Sequence, residues 1–336
     1  MSKLNQNDPL RLSIPSKGRL SDDSIALMRS CGMDIEKPNP RQYQATIRGL
    51  EELIVLFQRP GDIVSSVRDG SVDFGIAGLD LVEERRGNEN EILVLHDDLK
   101  FGRCSLALAV PENWGLPVDL ARLRSKADEH GRPLRVATKF PNLTKQFLDM
   151  QRVDNVMVYA EGTLETAPTI GYADIISDLV SSGQTLRDNR LQTVSDGQIL
   201  KSQAVLIANK ASLRANPKAM HIARFLLEYF EAYLQGDNNL AIFANMRGSS
   251  PETIADLIFN QTSIAGLQGP TISRVYVREQ DSNWFAVHII VEKRELYKTI
   301  SELRAIGGSG VVVLPISYIF DEEPPRYTAM IRALEV

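Results

Sequence analysis

Short apolar runs separated by amphipathic stretches organise the first two-thirds of the chain. Residues 10–14, 53–58 and 73–77 are apolar enough for buried strands. Each ends in a polar or glycine-bearing turn: Pro15-Ser16-Lys17-Gly18-Arg19, Arg59-Pro60-Gly61 and Gly78-Leu79-Asp80. Between them the spacing becomes helical. One helix is predicted over 22–30 with Gly32 as its stop, a second is capped by Asp62 and closes at Gly70, and a third opens at Gly78. Further strands fall at 105–110, 134–138, 156–159, 173–178 and 204–208, with a helix after Asn142 and a polar segment at 112–133. A long helix over 217–234 puts Ile222, Phe225, Leu226, Tyr229 and Tyr233 on one face and ends at Gly236. This alternation predicts an α/β architecture.

The rhythm changes after Gly236. A strand at 241–246, a helix at 251–260, strands at 271–278 and 284–291 around an acidic turn, a helix at 295–305 and a strand at 311–319 give the order βαββαβ, the ferredoxin-like split unit. A chain of 336 residues is long for one core, so two or three domains are expected. The 38 basic and 43 acidic side chains leave a net charge of -5, which offers no global field for nucleic acid and makes any anion site local. Only Cys31 and Cys104 are present, too few for a disulfide framework and not spaced for structural zinc. The N-terminus is polar and lacks the apolar core of a secretion signal, and no apolar run reaches the ~18 residues that span a bilayer, so a cytoplasmic location is expected.

Candidate chemistry concentrates at 173–186, where a strand ends in Asp178 and the small residues Ser181, Ser182, Gly183, Gln184 and Thr185 lead into a helix. Glycine admits close backbone approach to an anion, hydroxyls add donors, and a helix start adds positive potential. A carboxylate just before such a cradle suits ribose hydroxyls, or magnesium carried by a diphosphate. The plainer alternative is a strand-to-helix turn capped by Asp178 and Thr185. Lys17, Arg19 and Arg59 each follow a strand, where an open α/β sheet binds ligands, although each also reads as a solvated surface charge.

From Glu165 through Gly171, Ala173, Ile176, Asp178, Leu179, Ser182, Gly183 and Thr185 to Leu186, the chain resembles the signature of the ATP phosphoribosyltransferases. The resemblance extends to Pro15–Leu20, Arg59–Ile63, Asp73–Asp80 and Phe101–Cys104. It implies a magnesium-dependent glycosyltransferase that joins ATP to 5-phosphoribosyl 1-diphosphate, releases pyrophosphate and opens histidine biosynthesis. The implied fold has two catalytic lobes like type II periplasmic binding proteins, followed by the ferredoxin-like unit. The implied boundaries are 1–104 with 202–238 for the first lobe, 105–201 for the second, and 239–336 for the regulatory unit.

On this resemblance Glu165 and Asp178 are the candidate catalytic residues, and Asp178 with Ser181, Ser182, Gly183, Gln184 and Thr185 binds the phosphoribosyl donor. Lys17, Gly18, Arg19, Arg59, Gly78, Leu79 and Asp80 are assigned to ATP. Glu165 either orients the ribose or a magnesium-bound water, or only caps a helix; Asp174 is assigned a structural role, and His96 reads as a surface or lobe-joining residue. The segments 269–271, 284–288 and 307–315 resemble the regulatory domain of the family's long form, which implies feedback by histidine without a separate regulatory subunit, and a homo-oligomer (dimer or hexamer). Thr271 and Ser309 are its candidate contacts, or merely strand starts. A solute-binding protein and an ordinary purine or pyrimidine phosphoribosyltransferase are the competing readings.

Overall fold

A computed structural model describes residues 9–39, 41–87, 91–115, 117–160, 162–264, 266–267, 269–276 and 283–335. The acidic turn predicted after the strand at 271 lies largely outside these residues. The chain forms two compact units, Met1–Phe225 with Pro325–Val336, and Leu226–Pro324. Among the described residues no helix is long and apolar enough to cross a membrane.

The first unit contains two sheets. In the seven-stranded sheet, Leu53–Gln58, Leu10–Pro15 and Phe74–Gly78 run parallel at the centre. Ala204–Asn209 joins antiparallel, Ile92–His96 lies beyond it, and Gln44–Ile47 and Ile35–Glu36 extend the other edge. Leu12, Ile14, Leu53, Val55, Phe74 and Ile76 are fully buried, as central parallel strands covered on both faces require. The five-stranded sheet runs Leu191–Ser202, Cys104–Pro111, Ile175–Val180, Leu134–Thr138, Asn155–Tyr159.

The chain passes between the sheets twice, at 97–103 and at Gln203, and the two crossings are bonded together. Leu99 donates its N–H to the Ala204 carbonyl (3.0 Å), Ala204 donates to Phe101 (3.0 Å), and the Gln203 side chain donates to the Asp97 carbonyl (2.7 Å). Two lobes joined by a double crossing are the catalytic architecture expected from the sequence. His96, at the start of one crossing, is buried, and burial together with the nearby Arg326 guanidinium pulls its pKa down to about 3, so the ring is neutral.

Several elements escaped the sequence reading, among them two in the second lobe. Strand Leu191–Ser202 is mostly polar, buries only Leu191, Val194, Gly197 and Ser202, and has register shifts that break simple alternation. The polar segment after 112 contains helix Leu120–His130, capped by Asp119, whose side chain accepts the Arg122 N–H; its buried stripe is only Leu120, Leu123 and Ala127.

The second unit has a four-stranded antiparallel sheet in the order Thr271–Arg274, Trp284–Glu292, Asn239–Arg247, Ser309–Pro315. With helices Pro251–Gln261 and Leu296–Ala305 it has the predicted βαββαβ order. Ile242, Ala244, Met246, Val287 and Ile289 pack under Ile254, Ile258 and Leu303, so both helices cover one face of the sheet. The expected boundary at the end needs correction. The compact unit stops at Pro324, and helix Pro325–Glu335 belongs to the first unit. There Met330 is buried and Arg326 pairs with Asp97 at 2.7 Å.

Candidate functional site

Strand Ile175–Val180 delivers Asp178 to its carboxyl end, and the chain turns through 181–183 into helix Gln184–Asp188. Gly183 adopts the left-handed conformation (φ 69°), which glycine reaches without strain. The loop residues Ser181, Ser182, Gln184 and Thr185 are exposed. The helix that follows is only five residues long, so its dipole adds less than a full helix start would. Arg187 compensates by folding back over the turn and donating to the Ser182 carbonyl (3.1 Å) and to Gln184 Oε1 (3.0 Å).

Asp178 accepts the Leu179 N–H at 2.8 Å. Burial pushes its carboxyl above the usual range; the Leu179 N–H and Lys139 pull it back, and the Glu165 carboxylate adds to the rise. Glu165, on the short turn Leu164–Thr166, is thus near enough for its charge to be felt at Asp178. Lys139, which the sequence reading missed, follows strand Leu134–Thr138. That strand runs parallel to Ile175–Val180 with Thr138 opposite Ser177, so Lys139 leaves its strand beside Asp178 on the neighbouring one.

The junction is held from beneath. Phe140 donates its N–H to Thr138 Oγ1 (2.9 Å), and the buried hydroxyl of Thr144 donates to Ser177 Oγ (2.8 Å). Glu84 reaches across from the first lobe and accepts the N–H groups of Asn142 (2.9 Å) and Leu143 (3.0 Å), filling the start of helix Pro141–Met150. Asp174, by contrast, sits at the other end of its strand. Its carboxylate accepts from Arg132 (2.7 and 2.9 Å) and from the side chain and backbone of Arg135, and these bonds, outweighing burial, hold it well below the usual range. Its partners tie this end of the strand to its neighbour.

In the first lobe, Pro15 lies opposite Gln58, and Ser16 donates to the Gln58 carbonyl (2.8 Å), so the turns bearing Lys17 and Arg59 adjoin. Arg19 opens helix Arg19–Ser30 three residues before the predicted start, with Gly18 (φ 77°) as its cap. Lys17, Arg19 and Arg59 are exposed. Two cations beside a helix N-terminus are unfavourable alone and favourable with an anion present.

Gly78, Leu79 and Asp80 are bonded to the crossing between the lobes. Leu79 gives its N–H to the Gln203 carbonyl (2.9 Å) and Asp80 gives its N–H to Ser202 Oγ (3.0 Å). Ser202 in turn donates to the Asp80 carboxylate, which is buried and pushed up by that burial. Gly78 is needed here because a Cβ would lie 2.3 Å from Asp80 Oδ1. This turn fastens the crossing between lobes.

The family described as "HisG: ATP phosphoribosyltransferase" matches residues 59–228, and "HisG, C-terminal domain" matches 237–318. The ATP phosphoribosyltransferase 1, chloroplastic, of Arabidopsis thaliana is 42% identical over 98% of this chain and 82% of its own. The ATP phosphoribosyltransferase of Gemmatimonas aurantiaca is 36% identical over 91% of this chain and 98% of its own. The chain belongs to the ATP phosphoribosyltransferases. The solved ATP phosphoribosyl transferase (HisG:HisZ) complex from Thermotoga maritima has the same fold, with a TM-score of 0.51 at 24% identity, covering 66% of this chain and 98% of that one.

As an ATP phosphoribosyltransferase of the long form, the chain performs the first step of histidine biosynthesis, joining ATP to 5-phosphoribosyl 1-diphosphate with loss of pyrophosphate. A divalent metal is expected of a phosphoribosyltransferase. Among the described residues no group of three or more His, Cys, Asp or Glu is arranged to hold one, whereas the pair Asp178 and Glu165 suits an ion arriving on the diphosphate.

In the C-terminal unit, Thr271 and Ser309 do not meet. They lie on the two edge strands of the sheet, three strand spacings or roughly 14 Å apart. Thr271 pairs with His288, whose ring stacks on Phe243 (4.4 Å), while the Ser309 hydroxyl donates to the Asn245 carbonyl (3.2 Å). One chain therefore cannot close both residues on a single histidine.

Proposed function

We propose that the second lobe holds the phosphoribosyl donor at Asp178 and 181–185, with the ATP triphosphate on Lys17, Arg19 and Arg59. The observation that carries this reading is Asp178 near the carboxyl end of its strand, directly ahead of an exposed hydroxyl-and-glycine loop and within electrostatic reach of Glu165. As the diphosphate leaves C1, positive charge develops on the ribose ring. Two carboxylates beside that ring stabilise it, while the loop amides and hydroxyls hold the 5-phosphate in place. Asp178 and Glu165 are the residues that would hold Mg2+ arriving on the donor, and the ion would supply charge neutralisation for the departing diphosphate. Asp178 retains the ribose hydroxyls, and Glu165 orients the sugar.

The C-terminal unit is the receptor for feedback histidine, through Thr271 or Ser309 but not both in one chain. With that unit built in, the protein works as a homo-oligomer without a separate regulatory subunit. Neither Cys31 nor Cys104 is in a disulfide, which accords with a reducing compartment, and the cytoplasm is the proposed location.

Incubation with ATP, 5-phosphoribosyl 1-diphosphate and Mg2+ is expected to yield pyrophosphate and the N1 adduct in equal amounts, to stop on chelation, and to slow on adding histidine. Turnover indifferent to chelation would remove Mg2+ from the account, and turnover indifferent to histidine would remove the feedback claim.

A further inference from the structure

We propose that Lys139 is a substrate-binding residue, contacting the diphosphate of the phosphoribosyl donor; the inference rests on the placement of that donor at Asp178. Parallel pairing of Thr138 with Ser177 makes Lys139 and Asp178 the next residues along adjacent strands, Lys139 just past the end of its own and Asp178 two residues before the end of its strand, on the side where such sheets receive ligands. A donor with its ribose hydroxyls on Asp178 and its 5-phosphate on 181–185 has its C1 substituent beside this neighbouring strand end. Two carboxylates, Asp178 and Glu165, already stand there, so a diphosphate meets repulsion unless a cation accompanies it.

Several other cations of the second lobe are engaged elsewhere. Arg132 and Arg135 are locked onto Asp174 at the far end of the strand. Arg187 is spent on the Ser182 carbonyl and Gln184. Lys145 pairs with Asp149 at 2.9 Å. The start of helix Pro141–Met150, the nearest full helix end, is filled by the Glu84 carboxylate. Lys139 has an exposed side chain on a backbone fixed on both sides, by the Thr138 hydroxyl and by the capped helix. That combination, a mobile ammonium on a rigid base, suits a polyanion that must bind and then depart as pyrophosphate.

Steady-state kinetics of Lys139→Gln and Lys139→Arg against the wild type test this. Loss of one charge-assisted contact is expected to raise the KM for 5-phosphoribosyl 1-diphosphate about 10- to 100-fold and to weaken product inhibition by inorganic pyrophosphate in parallel. The KM for ATP and the unfolding midpoint should hold, and Lys139→Arg should recover most of the loss. A KM for the donor within about twofold of wild type in Lys139→Gln, well under one contact's worth, would overturn the inference while leaving the placement of the donor intact. An equal rise in both KM values, with a lowered midpoint, would show Lys139 to be structural and would also overturn it. A wild-type protein that does not bind the donor near Asp178 would remove both.

Discussion

Asp178→Ala is expected to lower kcat by about 10²- to 10³-fold, as loss of a carboxylate facing developing positive charge does. Folding should hardly register the change. The carboxylate accepts one local bond, from the adjacent Leu179 N–H, and burial already works against its charged form. Removing it takes away a desolvated charge as well as a hydrogen bond, so stability should change by under ~1 kcal/mol. Asp178→Asn keeps the shape and the local acceptor, and should lose nearly as much activity because the charge is gone. Kinetics alongside thermal unfolding check this pair. Equal losses of rate and stability would return Asp178 to the role of a turn cap.

Glu84→Ala is expected to show the opposite signature. Glu84 is buried and accepts two N–H groups at the start of helix Pro141–Met150, so its removal leaves two partly buried donors without a partner from the other lobe. A loss of about 2–3 kcal/mol, or roughly 5–10 °C in the midpoint of the first unit, follows from an uncapped helix and two orphaned donors. The helix starts two residues after Lys139, so the donor's KM should rise as well. Glu84→Gln, which keeps one acceptor oxygen, should fall between. A Glu84→Ala protein that melts with the wild type would show that water replaces the cap without cost.

Much of this site was legible because its chemistry is local. Asp178, Ser182, Gly183 and Thr185 lie within one strand and turn, and each residue type has its own reason to be there. Lys139 was not legible, since Thr138-Lys139-Phe140-Pro141 reads as a strand end before a helix. Only the pairing of Thr138 with Ser177, across 39 positions, makes it a neighbour of Asp178. The burial of Asp80 was not legible for the same reason, since its partner Ser202 stands 122 positions away. Helices with a clear apolar face were found with small boundary errors. The narrow stripe of Leu120–His130, the polar edge strand Leu191–Ser202 and the tail helix Pro325–Glu335 were not, because their burial depends on neighbours distant in sequence. That Thr271 and Ser309 stand on opposite edges of their sheet was not legible either, because the strand order is set by pairings distant in sequence.

The placement of the donor is tested most directly by amide hydrogen exchange of the wild-type protein, with and without 5-phosphoribosyl 1-diphosphate and Mg2+. The account predicts slowed exchange across 179–187, extending to the segment around Lys139, with 16–20 and 59–62 changing mainly when ATP is bound. Protection by the donor confined to 16–20 and 59–62, with 179–187 unchanged, would contradict it.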